Sequence, residues 1–239
     1  VTARRGGRRI ALCLLGTADE RKEEPTTDDQ EVTQGQGHQH GHAHGHGHDG
    51  HRFDPERLLA REDRFRALFD PARHLLPMFA GDERVVLDVG AGVGLLALAL
   101  AEHLPGASVV AIDRQDDMVA VLERRLREAG RSNARALQAD AAALPLPDAS
   151  ADAVLMSVVL HDFADPYRAL GEARRVLRSG GRLVLIEVRP GATEDGPPQE
   201  RLFQPERLAR MLVDSGFTPG PFDDGPGPLY RVAAQRDDA

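Results

Sequence analysis

The sequence predicts an α/β protein built on a mostly parallel sheet of seven strands, with helices on both faces and an antiparallel hairpin near the C-terminal end. Three observations predict it. Short apolar runs, first at Val85–Val89 and then at Ser108–Ile112, alternate with segments of helical periodicity, as strands buried on both faces of a parallel sheet require. Acids stand at the ends of successive runs, at Asp88, Asp113 and Asp140. The first run also closes on Gly90, Gly92 and Gly94 before the apolar stretch Leu95–Leu100. This last pattern reads as a strand, a tight glycine turn and a helix whose free N–H groups face a large ligand.

Order is expected to begin near Arg52, where Asp54 caps a helix and Pro55 suits its first position. Leu58, Leu59, Phe65, Leu68 and Phe69 recur at helical spacing, either as a helix packed on the domain or as a lid spanning residues 52–80 over a site. Asp70-Pro71 restarts a short helix. The core, residues 84–235, continues with the glycine motif and a helix to about Leu104, then a second strand at Ser108–Asp113. Met118, Val119, Leu122 and Leu126 mark the inner stripe of the next helix, with Met118 placed either in the core or against a nucleoside. Strands follow at Ala134–Ala139 and Ala153–Val159, and His161-Asp162 falls just past the latter, where ligands of open parallel sheets bind. Pro166 opens a helix predicted to end at Ser179-Gly180-Gly181, leading to a fifth strand at Arg182–Val188. Pro205–Asp214 reads as a helix, and segments at Gly216-Phe217 and Leu229–Ala234 as the final hairpin.

Composition narrows the function. The net charge of -8 offers no basic field for nucleic acid, and aromatic residues make up only 4%, too few for a base-stacking surface. No run approaches the ~18 apolar residues of a membrane span. The apolar run Ile10–Leu15 is short for a secretion signal, so a cytoplasmic location is expected. Cys13 is the only cysteine, which excludes an internal disulfide and a multi-thiolate metal site.

Residues 1–51 read as a disordered tail ending in a low-complexity tract with His38, His40, His42, His44, His46, His48 and His51. Imidazoles on a glycine-rich chain capture Zn, Ni or Cu loosely, because nothing rigid orients them. The tract is read either as a passive tail or as the basis of a metal-handling or metal-regulated binding protein.

Gly92-Val93-Gly94-Leu95-Leu96-Ala97 also satisfies the dinucleotide pattern, which keeps an NAD(P)-dependent oxidoreductase open on the glycines alone. The wider set of residues resembles the class I S-adenosylmethionine-dependent methyltransferases, in the small-molecule branch that includes the type 11 and quinone-biosynthesis groups. The resemblance is carried by the acid-x-G-x-G-x-G form of Asp88–Gly94, by Asp113 and Asp140, and by Arg174–Leu183 before the fifth strand, and it covers about Arg52 to Gln235. It implies a Rossmann-like fold and S-adenosyl-L-methionine as cofactor. It further implies that Asp88 lies near the methionine ammonium, that Gly90, Gly92 and Gly94 form the floor, that Asp113 binds the ribose, and that Asp140 and Ala141 flank adenine. Arg114, Met118 and Ser157 complete the implied cofactor set.

A sulfonium methyl needs an in-line nucleophile, with a base only for a protonated acceptor. His161 is the leading candidate base, followed by Asp162 and Glu187, while Arg189 and Arg201 are candidates to receive an acidic substrate. Ser157-Val158-Val159-Leu160 stands where amino-group methylases of adenine or glutamine carry Asn/Asp-Pro-Pro-Tyr/Phe, and no Pro-Cys serves cytosine methylation. The expected partner is a small-molecule methyl acceptor, in a monomer or homodimer, with O-, N- and C-methylation all open.

Overall fold

The computed structural model describes residues 52–193 and 196–238, so the His tract from His38 to His51 lies outside the described residues. In chain order the elements are α1 (Pro55–Ala60), α2 (Glu62–Leu68), α3 (Pro71–His74), β1 (Val85–Val89), α4 (Leu95–His103), β2 (Ser108–Asp113) and α5 (Asp116–Glu128). There follow β3 (Ala134–Gln138), β4 (Ala151–Ser157), α6 (Pro166–Val176), β5 (Leu177–Val188), α7 (Pro205–Asp214), β6 (Phe217–Asp224) and β7 (Leu229–Arg236). One seven-stranded sheet has the order β3-β2-β1-β4-β5-β7-β6. The pairs from β3 through β5 are parallel, and β7 runs antiparallel to both β5 and β6.

Strand alternation splits the core into two layers. Leu87, Val110, Val154, Met156 and Leu185 point to the face covered by Leu170 and Ala173 of α6 and Leu208 and Leu212 of α7. Val86, Val109, Ala111, Leu155 and Val184 point to the opposite face, against Leu96 and Leu100 of α4 and Leu122 of α5. Asp88 shares the parity of Val86, so a carboxylate takes a position that its neighbours fill with apolar side chains.

Several boundaries differ from the sequence reading, the final hairpin strands also running longer, to Asp224 and Arg236. The first amphipathic stretch is two helices, because the chain turns at Arg61 between α1 and α2. β4 starts at Ala151 and stops at Ser157, since Val158 adopts φ 54°, a left-handed conformation that a strand cannot continue through. β3 ends one residue earlier than expected, at Gln138. Finally, α6 ends at Val176 rather than at Ser179-Gly180-Gly181. Leu177 already pairs with Ala151, and the register then jumps to Arg182 opposite Ala153, so Arg178–Gly181 bulges out of the strand. The glycines serve that bulge: Gly180 has φ 69°, and a Cβ on Gly181 would stand 2.7 Å from the Arg178 carbonyl.

Candidate functional site

A cleft of about 820 Å³ opens at the carboxyl ends of β1, β2 and β4. Two hydrogen bonds shape the glycine turn, with Gly90 and Ala91 donating to the Ile112 carbonyl at 2.8 and 2.9 Å. Gly90 has φ 77°, and any Cβ there would meet Val159 Cγ2 at 2.5 Å. Gly92 lines the cleft in the same left-handed region, at φ 53°. Gly94 is different, since it is not among the lining residues. Its missing Cβ makes room for Leu122 Cδ1, 2.3 Å away, so this glycine serves the packing of α4 on α5.

The acids of the first two strands are both pulled out of water. Asp113 Oδ2 accepts from Gly92 N at 2.8 Å and Oδ1 from Gln115 N at 2.9 Å, which ties the tip of β2 to the glycine turn. Burial raises its pKa, against these backbone bonds. Asp88 is 3% exposed, and its Oδ2 is buried without any hydrogen-bond partner. Burial first, and then the charge of Asp113, push its pKa up to about 7. A buried carboxylate oxygen with no donor is a costly arrangement. A cationic ligand group in the cleft relieves it. Arg114, Met118, Asp140, Ala141 and Ser157 also line the cleft. Met118 is buried in the core and also lines the cleft. Asp140 Oδ1 accepts from Ala142 N at 2.8 Å and so orders the chain beyond β3.

At the other end stand Val158, Val159, His161, Asp162, Phe163, Pro197 and Arg201. His161 Nδ1 lies 2.6 Å from Glu187 Oε2, and Nε2 lies 3.2 Å from Asp162 Oδ2. Both sides of this ring are thus occupied by carboxylates. Burial alone would lower the pKa of His161, but the charge of Glu187 and the hydrogen bonds to Asp162 and Glu187 outweigh it and raise the value to about 10. Glu187 uses its other oxygen to accept from Leu160 N at 2.9 Å. Asp162 Oδ1 faces Arg201 at 3.7 Å. Arg189, the other expected anion receiver, is not among the lining residues: it pairs with Asp224 at 2.5 Å and stacks over Tyr230.

The N-terminal segment, read from the sequence as a packed helix or a lid, supplies cleft-lining residues that the sequence did not single out as site residues. Phe53, Leu58, Arg61 and Phe65 all line the cleft. Gln115 holds the Phe53 backbone by both ends of its amide, accepting from Phe53 N at 2.7 Å and donating to Phe53 O at 2.9 Å. Arg125 donates to the Val93 carbonyl at 2.8 Å and to Glu62 at 2.7 Å, joining α2 to the glycine turn. Local sequence patterns carry no signal for contacts that span 62 and 63 positions. Among the described residues no cluster of three or more His, Cys, Asp or Glu is placed to hold a metal ion, and no helix is long and apolar enough to cross a membrane.

Comparison with known proteins agrees with this geometry. A family model described as "Methyltransferase domain" matches residues 87–185. A protein of Deinococcus radiodurans named demethylmenaquinone methyltransferase is 41% identical over 168 residues, covering 58% of this chain and 69% of that protein. The chain belongs to the S-adenosylmethionine-dependent methyltransferases. A demethylmenaquinone methyltransferase of Thermus thermophilus is 49% identical over 105 residues, 44% of this chain and 47% of that relative, so the match spans about half the relative's length. Among solved structures, a SAM-dependent methyltransferase from Aquifex aeolicus superposes with a TM-score of 0.71 at 28% identity, covering 77% of this chain and 99% of that one. As in other methyltransferases of the family, the sheet is Rossmann-like, mostly parallel, and closed by an antiparallel hairpin.

Proposed function

We propose that this protein transfers the methyl group of S-adenosylmethionine to a small, partly apolar organic molecule bearing a hydroxyl or enol group. The observation that carries the reading is Asp88 Oδ2, buried without a hydrogen-bond partner beside the glycine turn and in one cleft with Asp113. Asp88 receives the cofactor's ammonium and Asp113 its ribose, the Asp113 carboxylate being held in place by backbone N–H groups that include those of Gly92 and Gln115. Bound there, the cofactor supplies an electrophilic methyl on a sulfonium, which the acceptor's nucleophile attacks in line.

The acceptor lies against Val158, Val159, Phe163 and Pro197. His161 is the expected base, yet near neutral pH it is an imidazolium held between two carboxylates and has no lone pair to offer. Its role in this reading is to hold Asp162 in place, and Asp162 is the group that accepts a hydrogen bond or a proton from the acceptor hydroxyl. Arg201 then offsets the developing negative charge. The names of the Deinococcus and Thermus relatives favour a quinol-like acceptor, which has the required flat apolar body and hydroxyl groups.

The test is transfer of labelled methyl from S-adenosylmethionine to a panel of naphthoquinols, phenols and amines, with calorimetry of cofactor binding alongside. Labelled naphthoquinol or phenol is the expected product. Failure to bind S-adenosylmethionine would reject the reading, and label entering only amines would reject the acceptor class.

A further inference from the structure

The chain leaving β4 breaks the alternation of its strand. Val154 and Met156 belong to the layer under α6 and α7, and Ala153 and Leu155 to the layer under α4 and α5. A strand that ran on would send Val158 to the first layer and Val159 to the second. The reverse is found: Val158 packs against the second layer and Val159 against the first. Val158 is the residue at φ 54°, and a β-branched side chain in the left-handed region is strained. Such strain persists only where the surroundings hold it, and hydrogen bonds to β5 and within the turn do so here. Val158 N donates to the Ile186 carbonyl at 2.7 Å, Leu160 N to Glu187 at 2.9 Å, and Asp162 N to the Val159 carbonyl at 2.9 Å.

The reversal delivers Val159 to the glycine turn. Its Cγ2, Cγ1 and Cβ stand 2.5, 2.9 and 3.0 Å from where a Cβ of Gly90 would be, so this side chain fills the hollow that Gly90 leaves. Val159 also lines the cleft. It is therefore the side chain at which the end holding Gly90 and Asp88 meets the end holding His161 and Asp162.

Resting on the cofactor assignment above, we propose that Val159 sets the size of the alkyl group that the cleft accepts on the cofactor's sulfur, admitting methyl and excluding ethyl. A group passed from one end of the cleft to the other must cross where the ends meet, and Val159 is the wall at that place. Its branched, apolar side chain suits a methyl group, which needs contact and no hydrogen bond. A second carbon needs the space that the γ carbons of Val159 hold, and these cannot withdraw. Gly90 closes one side, and the strained turn tied to β5 closes the other.

The experiment is calorimetry of S-adenosylmethionine and of S-adenosylethionine, which carries one more carbon on sulfur, on the full chain and its Val159→Ala, Val159→Thr and Val159→Ile variants. One methylene in an apolar pocket discriminates by roughly 10- to 200-fold, and the full chain is expected to prefer the methyl ligand within that range. Val159→Ala should bind the two ligands alike, its affinity for S-adenosylmethionine showing that it is folded. Val159→Thr keeps the branched shape and should keep the preference. Val159→Ile adds a carbon to the wall and should widen the preference, a second test that does not depend on the folding of Val159→Ala. Equal binding of both ligands by the full chain, a preference that survives in Val159→Ala, one that is lost in Val159→Thr, or one that does not widen in Val159→Ile overturns the proposal and leaves the cofactor assignment standing. Absence of binding by either ligand to the full chain overturns both.

Discussion

The two ends of the cleft, to which we assign the cofactor and the acceptor, are built by different means. The cofactor end is mostly backbone: a glycine turn bonded to Ile112, two acids at strand tips, and N–H groups that hold Asp113. The acceptor end is a chain of charged side chains running Glu187, His161, Asp162 and Arg201, and most of it is buried. Backbone recognition leaves few ways to vary a cofactor site, because the turn geometry is shared by all its contacts. Side-chain recognition can be changed one residue at a time, and an acceptor site built so can diverge while the cofactor stays the same.

The largest expected effect that tests this division is at Glu187. Glu187→Ala removes one partner of a buried ion pair and should cost about 3–5 kcal/mol of folding stability, read from denaturant unfolding. Cofactor affinity in the folded variant should stay within a few-fold of the parent, and a parallel collapse of affinity would show that the two ends are not independent. Asp113→Ala should act the other way. It orphans the N–H groups of Gly92 and Gln115, costing about 1–3 kcal/mol, and should weaken S-adenosylmethionine binding by roughly tenfold or more in calorimetry.

The ends also titrate in different windows. Asp88 has its pKa raised from 3.8 to about 7, so the unfolded chain releases this proton first and its contribution to stability falls as pH rises from about 4 to 7. Binding of a cationic ligand favours the ionised form, so cofactor affinity should rise through pH 7 and then level off. His161 has its pKa raised from 6.5 to about 10, so its stabilisation is complete below 6.5 and is lost as pH rises through 10. Unfolding curves across pH should lose the acidic slope in Asp88→Asn and the alkaline slope in His161→Gln, and any exchange of those effects would contradict the separation.

The smallest effect belongs to Arg201. Its guanidinium is half-exposed and 3.7 Å from Asp162, so Arg201→Met should change stability by less than about 1 kcal/mol. Steady-state kinetics should show a raised KM for the acceptor, with cofactor affinity unchanged.

The same division decides what was legible in the sequence. Strands β1, β2 and β4 show as apolar runs because both faces are buried, and the glycine turn shows because only glycine occupies its conformations without strain. Asp88 and Asp113 follow from their place at strand ends. At the other end the sequence singled out His161, Asp162, Glu187 and Arg201 one by one but not their pairing, since His161 is adjacent to Asp162 but 26 residues from Glu187. Gly94 shows the opposite difficulty. It belongs to the glycine motif by spacing, yet it makes room for Leu122 rather than for a ligand. The Ser179-Gly180-Gly181 signal was equally real, marking a backbone irregularity that proved to be a bulge in β5.

One feature of the sheet bears on how the site comes into being. β7 follows β6 in the chain but lies between β6 and β5, so β6 has no neighbour until β7 is in place. The strands that carry the cofactor end, β1, β2 and β4, are all complete by Ser157, whereas Glu187 sits on β5 opposite Tyr230 of β7, whose hydroxyl donates to the Phe203 carbonyl. During refolding the cofactor end can therefore mature first, leaving the acceptor end to await the final strand. Pulse-labelled exchange should protect β1 and β2 before β5 and β7, and simultaneous protection would show that the sheet closes in a single step.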